Sequence, residues 1–370
     1  MNPSTTNPLH IQELVEYCIY FLHNSRPDLK RCALVCRAWT YCAQSHLFRN
    51  WTFLDYTAHQ HLRIAQLDRL SRSPDILGLV VRLQVQLQYV SKAEFAALVP
   101  LFTRLQELRI SGPSPPFSAP SLTAVRTLLS ISTLQRAELY CTFYHLASFL
   151  QLWDGCSESI RHLALGRIMM TGPADTWDLP SLGRGSRIKL ESLAVSYGSL
   201  SKRWLQSDAC PFEFSGLTKL TLRIVEHTGT FKWGTLSGAF ATIENLELAF
   251  ISMRTDTTFN VDLSQFTRLR LLTLRSFDPD TTLNLLNTLS GVPLDNHITR
   301  IFIYPSSTSP TMLARLDSLL TSLPLSQLAG VKLGWMWSRE VNTVAAAENY
   351  LPLLKARQSL SVVSAHAAER

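Results

Sequence analysis

Four residues near the amino end could be imagined as zinc ligands: Cys32, Cys36, Cys42 and His46. Zinc would take them as thiolates and an imidazole in a tetrahedron. Their spacing fits no familiar finger. Cys32 and Cys36 also fall on the apolar stripe of an expected helix, so buried thiols are the expected state. His59 and His61 flank Gln60 with no obvious third donor. Gly183-Arg184-Gly185 is a turn pair that lacks the strand, helix and Lys of a phosphate loop. No Gly-x-Ser-x-Gly elbow occurs. The expectation is a chain that works by binding, with no catalytic residues, no cofactor and no metal.

The bulk composition agrees with a globular chain. It has 370 residues, of which 46% are hydrophobic, with seven Cys and a formal net charge of +7. The first eight residues are polar and carry no secretory pattern. The thiols are therefore expected to be reduced, and the compartment cytoplasmic or nuclear. Apolar runs fall far short of the roughly 18 residues of a membrane span, so no membrane partner is expected. Basic residues are dispersed and mostly Arg. They form no basic tail and are not interleaved with aromatics in a known module, so nucleic acid is not an expected partner either.

The elements that would position a binding surface begin at the amino end. Ile11, Leu14, Val15, Cys18, Ile19 and Leu22 recur at helical spacing. Asn24 and Ser25 end that pattern, and Pro27 opens a second helix, where its missing N–H costs least. In this second helix Leu29, Cys32, Ala33 and Cys36 form one apolar stripe, while Leu34, Val35, Ala38 and Trp39 point elsewhere. Tyr41, Cys42, Leu47 and Phe48 complete a third segment. A short helix that is apolar on two sides needs two partners, one of them outside its own small bundle.

HIQELVEYCIYFL, DLKRCALVCRAW and SHLFRN together resemble the F-box, in the form common among fungal F-box proteins. The resemblance spans residues 8–55, and its specific part is Val35-Cys36-Arg37-Ala38-Trp39 with the spacing from Glu13-Leu14 onward. It implies a three-helix module that docks on a Skp-type adaptor, and through it on a cullin. The adaptor-facing positions carried over are Ile11, Leu14, Val35 and Trp39. The family's usual Leu-Pro opening is His10-Ile11 here, with a Pro-Leu pair displaced to Pro8-Leu9.

From Val80 onward an apolar-x-x-apolar-x-apolar pattern recurs ten times. Its last two anchors run from Leu83/Val85, through Leu108/Ile110, Ala137/Leu139, Leu163/Leu165, Leu193/Val195, Leu220/Leu222, Leu246/Leu248, Leu272/Leu274 and Ile301/Ile303, to Val331/Leu333. The mean period of about 28 residues lies in the leucine-rich-repeat range. Helices are expected over 92–102, 122–129, 144–153, 281–289 and 312–323. The predicted fold class is thus α/β. A three-helix F-box-like module (8–55) precedes an irregular leucine-rich-repeat-like solenoid (56–340), with one parallel sheet on the concave face and helices outside. Residues 341–370 are expected to form a cap helix and tail. No Asn or Cys follows the anchors at the usual place, so an Asn ladder is absent. Residues 111–120 and 171–187 read as excursions from the repeat.

Residues alternating with the anchors would line the inner face. Eight are Arg or Lys and three are Glu. Arg109, Arg136, Arg223, Arg275, Arg300, Phe302 and Tyr304 are the candidate target-binding residues, with Trp335 and Trp337 nearby. The expected target is an acidic or phosphorylated protein segment, because guanidinium groups grip carboxylates and phosphates in pairs. The function implied by the resemblance is a substrate-recognition subunit of an SCF-type cullin-RING ubiquitin ligase. The alternative is a repeat-based protein-binding scaffold with a degenerate F-box, outside the ubiquitin system. An enzyme on an unusual repeat scaffold is a third reading.

Overall fold

The computed structural model describes residues 12–53, 71–86, 90, 93–112, 119–143, 146–166, 169–170, 187–197, 210–224, 234–250, 261–276, 288–289, 297–304, 310–322, 329–335, 351–356 and 360–364. Ile11, His59, His61, the Gly183–Gly185 pair, Trp337 and most of the expected 281–289 helix lie outside them. The chain is α/β and divides into two compact units, Met1–Ile160 and Arg161–Arg370.

The first unit opens with three helices, α1 (Gln12–Tyr20), α2 (Arg26–Cys32) and α3 (Arg37–Phe48). They share a core of Val15, Ile19, Leu29, Cys32, Cys42 and Ala43, edged by Leu22, Ala33, Trp39 and Leu47. The continuous stripe expected from Leu29 to Cys36 is not observed, because α2 ends at Cys32. Ala33 to Val35 form a turn, and Cys36 is exposed in extended backbone ahead of α3. Thr40 fixes this break: its hydroxyl reaches the Ala33 carbonyl at 2.7 Å and the Cys36 carbonyl at 2.9 Å. One long helix would leave α3 unable to fold back and cover Leu29 and Cys32.

Four parallel strands follow in chain order, β1 (Asn50–Phe53), β2 (Arg82–Gln86), β3 (Glu107–Ser111) and β4 (Arg136–Tyr140). Between them lie α4 (Pro74–Leu77), α5 (Ala93–Leu98) and α6 (Ala119–Leu129), with α7 (Leu146–Gln151) after β4. Phe53 packs edge-on against Phe95 of α5 at 6.0 Å, which ties the first strand to the helix between β2 and β3.

Among the described residues of the second unit, eight parallel strands belong to the main sheet, again paired in chain order. They are β5 (His162–Leu165), β6 (Ser192–Tyr197), β7 (Lys219–Ile224), β8 (Asn245–Phe250), β9 (Leu271–Ser276), β10 (Arg300–Tyr304), β11 (Gly330–Trp335) and β12 (Leu360–Ser364). Among the described residues the longest accompanying helix is α8 (Pro310–Ser322), and α9 (Pro352–Ala356) follows β11.

All ten anchor pairs fall on strands β2 to β11, and every anchor is buried. In the main sheet two strands were not anticipated. β1 lies inside the segment assigned to the helical module. β12 replaces part of the expected terminal helix: Leu360, Val362 and Val363 extend along the β11 edge, whose backbone groups would otherwise lack partners. The sheet thus gains an additional strand where a helical cap was expected, and only α9 is helical among the described residues after 341.

Register is held at the strand entrances. The carbonyl of Gln106 accepts from the amides of Gln135 and Arg136, and the same doubled bond recurs at Glu191, Thr218 and Glu244. A hydroxyl three residues before the strand adds to it in three places. Thr133 donates to Leu105 O at 2.7 Å, Ser159 to Leu134 O at 2.7 Å and Thr242 to Leu217 O at 2.8 Å. These bonds link successive turns at the end of the strand opposite to where an Asn ladder would act.

Candidate docking surface and strand faces

The three-helix segment carries two apolar exposures that its own core does not use. α1 turns Val15 and Ile19 inward, so Leu14, Tyr17 and Phe21 lie on its outer side, 45%, 63% and 65% exposed. The Tyr17 and Phe21 rings meet edge-on at 4.9 Å. The turn between α2 and α3 presents Leu34 at 87% and Val35 at 63% exposure. Tyr20 and Tyr41 are exposed as well, so seven of the eight exposed large apolar side chains among the described residues lie in this short segment. Isolated exposed apolar residues are ordinary; such a concentration in one short segment is not.

Of the four adaptor-facing candidates, Leu14 and Val35 are exposed and Trp39 is half-buried against the helical core. Ile11 lies outside the described residues. Tyr17, Phe21 and Leu34 are surface residues that the candidate set omitted. Leu34 was visible as an off-stripe position; Tyr17 and Phe21 were visible as an i, i+4 pair outside the inward stripe.

Of the four candidate donors, Cys32 and Cys42 are buried and Cys36 is exposed. Burial pushes the Cys42 thiol above its ordinary range, the nearby Glu16 carboxylate adds to this, and Gln12 Nε2 lies 3.1 Å from its sulfur. Burial, with Arg49 and His23, lowers the His46 imidazole. Among the described residues no three His, Cys, Asp or Glu side chains gather as a metal site. Cys141 and Cys156 are driven up to about 12, and Cys210 to about 11, by burial, so none is a ready nucleophile.

The strand faces differ between the two units. In the first, Arg82, Glu107 and Arg136 form one row across the strands and Gln84, Arg109 and Glu138 the next. Arg82 pairs with Glu107 at 3.1 Å, and Arg109 with Glu138 at 3.8 Å while lying over the Tyr140 ring at 4.9 Å. Alternating charges thus neutralise most of this face, leaving Arg136 as its cation without an ion pair among the described residues. A depression of about 250 Å³ lies over these rows, bordered by Asn50 and Thr52.

In the second unit Lys219, Arg223, Arg275, Arg300 and Lys332 share one face with a single acid, Glu247. Arg275 is bound to Glu247 at 2.8 Å and its guanidinium covers the Tyr304 ring at 4.4 Å, so Tyr304 is buried beneath it. Lys332 Nζ sits 5.5 Å over the Phe302 ring. Arg223 and Arg300 are exposed, with no ion pair among the described residues. Of the predicted target-binding residues, Arg109 and Arg136 share the face of the first unit; Arg223, Arg275, Arg300, Phe302 and Tyr304 share that of the second. A depression of about 180 Å³ opens beside Lys219, Leu271 and Phe302.

Among the described residues no helix is long and apolar enough to cross a membrane. No protein-family model matches the chain, and no curated protein matches it.

Proposed function

We propose that the chain is a substrate-recognition subunit of an SCF-type ubiquitin ligase. Its three helices dock on a Skp-type adaptor, and its strand face holds a target protein. The observation that carries this reading is the concentration of exposed apolar side chains on α1 and on the α2–α3 turn, in the segment that resembles an F-box. Buried in an adaptor, Leu14, Tyr17, Phe21, Leu34 and Val35 would leave water without disturbing the inner core of the bundle. The stack of parallel strands with buried anchors at each turn fits a leucine-rich-repeat-like solenoid, a design that offers an extended side-chain surface for a protein partner. The chain would do no chemistry of its own; it would act by bringing target lysines close to a conjugating enzyme held elsewhere in the complex.

The altered opening at His10-Ile11 favours a second reading, a scaffold whose helical module has lost the adaptor. Affinity purification of the full chain from its native cell, followed by mass spectrometry, separates the two. The first reading expects adaptor and cullin together with the target. Recovery of another stable partner without adaptor or cullin selects the scaffold.

A further inference from the structure

The most unbalanced charge on the described surface lies on the strand face of the second unit, five cations against one acid. What that face accepts depends on where its cations stand. Lys219, Asn245, Leu271 and Arg300 occupy one row on four adjacent strands, β7 to β10. With strands about 4.8 Å apart, Lys219 and Arg300 are separated by about 14 Å. Both are exposed and neither has an ion pair among the described residues. Between them lies half-buried Leu271, and half-buried Phe302 stands two residues beyond Arg300 on β10, in the adjoining row.

A single phosphate requires two or more cations converging on one point. These two backbone positions are too far apart for that, and Glu247 stands in the adjoining row, where it repels a dianion. The guanidinium of Arg275 is already committed to Glu247, and Arg223 stands four residues beyond Lys219 on the same strand, about 13 Å away. An extended acidic peptide fits better. Its residues i, i+2 and i+4 point the same way and span about 13–14 Å. We infer that this row binds an unphosphorylated segment of the form acidic-x-apolar-x-acidic, running across the strands. The two carboxylates meet Lys219 and Arg300, and the central side chain rests on Leu271 and Phe302. This inference rests on the reading of the strand face as the target-binding surface, and it names the target's chemistry.

The test uses the full chain and three fluorescein-labelled peptides of equal length, read by anisotropy. One carries Glu-Ser-Leu-Ser-Glu, one carries Gln-Ser-Leu-Ser-Gln, and one carries a single phosphoserine in a neutral background. The first should bind, and the second should not. Binding should weaken as ionic strength rises from about 50 to about 300 mM, since exposed pairs are screened. Lys219→Glu with Arg300→Glu should lower affinity by about tenfold or more, whereas Arg104→Glu, at an exposed turn of the first unit, should leave it unchanged. Lys219→Gln with Arg300→Gln should weaken binding less, and it serves if the charge reversal disturbs folding. Equal binding of the first two peptides, preference for the phosphoserine peptide, or indifference to both double variants would overturn the inference. Adaptor co-purification from the same preparations keeps the outcomes apart: retained adaptor with no acidic-peptide binding removes this inference alone.

Discussion

Replacing Leu34 and Val35 together by Asp attacks the docking surface without touching the fold. Both side chains stand in the α2–α3 turn, 87% and 63% exposed, and neither belongs to the helical core. Exposed substitutions of this kind shift folded stability by about 0.5 kcal/mol or less. Covering a fully exposed Leu or Val releases about 1.5–3 kcal/mol each, so the pair has roughly 3–5 kcal/mol to give to a partner. Two carboxylates there would forfeit that energy and add a desolvation cost. Affinity for a Skp-type adaptor should therefore fall by a factor on the order of 10²–10⁴. Titration calorimetry with the purified adaptor measures this, with a thermal melt as the folding control. Trp39→Ala is the instructive contrast: Trp39 is partly buried against the helical core, so that variant should lose stability as well as binding. An unchanged affinity for the double Asp variant, at an unchanged melting temperature, would refute the reasoning.

Two further outcomes concern stability. Asp317 is a buried carboxylate in α8 that accepts from the amides of Leu353 at 3.0 Å and Leu354 at 2.9 Å, and so caps the short helix α9. Asp317→Ala should cost about 3 kcal/mol, lowering the melting temperature by roughly 5–10 °C, with Asp317→Asn losing less because one acceptor oxygen remains. For His46, burial followed by the charges of Arg49 and His23 favours the neutral imidazole in the folded state. The unfolded chain then takes up the proton first. Stability tied to His46 is complete above about pH 6.5, declines as pH falls below it, and levels off beneath the lowered folded value. Denaturant midpoints at pH 7.5 and 5.5 should differ less in His46→Gln than in the parent chain; equal differences would exclude this role.

The repeat was legible because its physical cause is local. Anchors such as Leu108/Ile110 and Leu246/Leu248 must both point inward from a strand, and a two-residue spacing states that directly. The helices beside them were legible for the same reason: the 312–323 pattern overlaps α8 up to its end at Ser322, and 122–129 lies within α6. β1 and β12 were not, because a strand of four or five residues takes its shape from the neighbour that offers it hydrogen bonds. The break after Cys32 was hidden because Leu34, Val35 and Ala38 continue an apolar pattern through it; the Thr40 bonds that close the turn leave no periodic trace. The charged face was half legible. Its positions followed from strand alternation, but the pairing of Arg82 with Glu107, Arg109 with Glu138 and Arg275 with Glu247 depends on which strands are neighbours. That pairing moves the free charge away from Arg109 and Arg275, onto Lys219, Arg223 and Arg300.

The central claim is that the helical segment, and not the strands, meets the adaptor. Hydrogen exchange of the full chain with and without a saturating Skp-type adaptor reads this position by position. Slowed exchange should be confined to α1 and to the turn from Ala33 to Cys36 with the start of α3, while the amides of β7 to β10 stay unchanged. Exchange in α1 and that turn that is identical with and without adaptor, or protection falling on the strands instead, would contradict it.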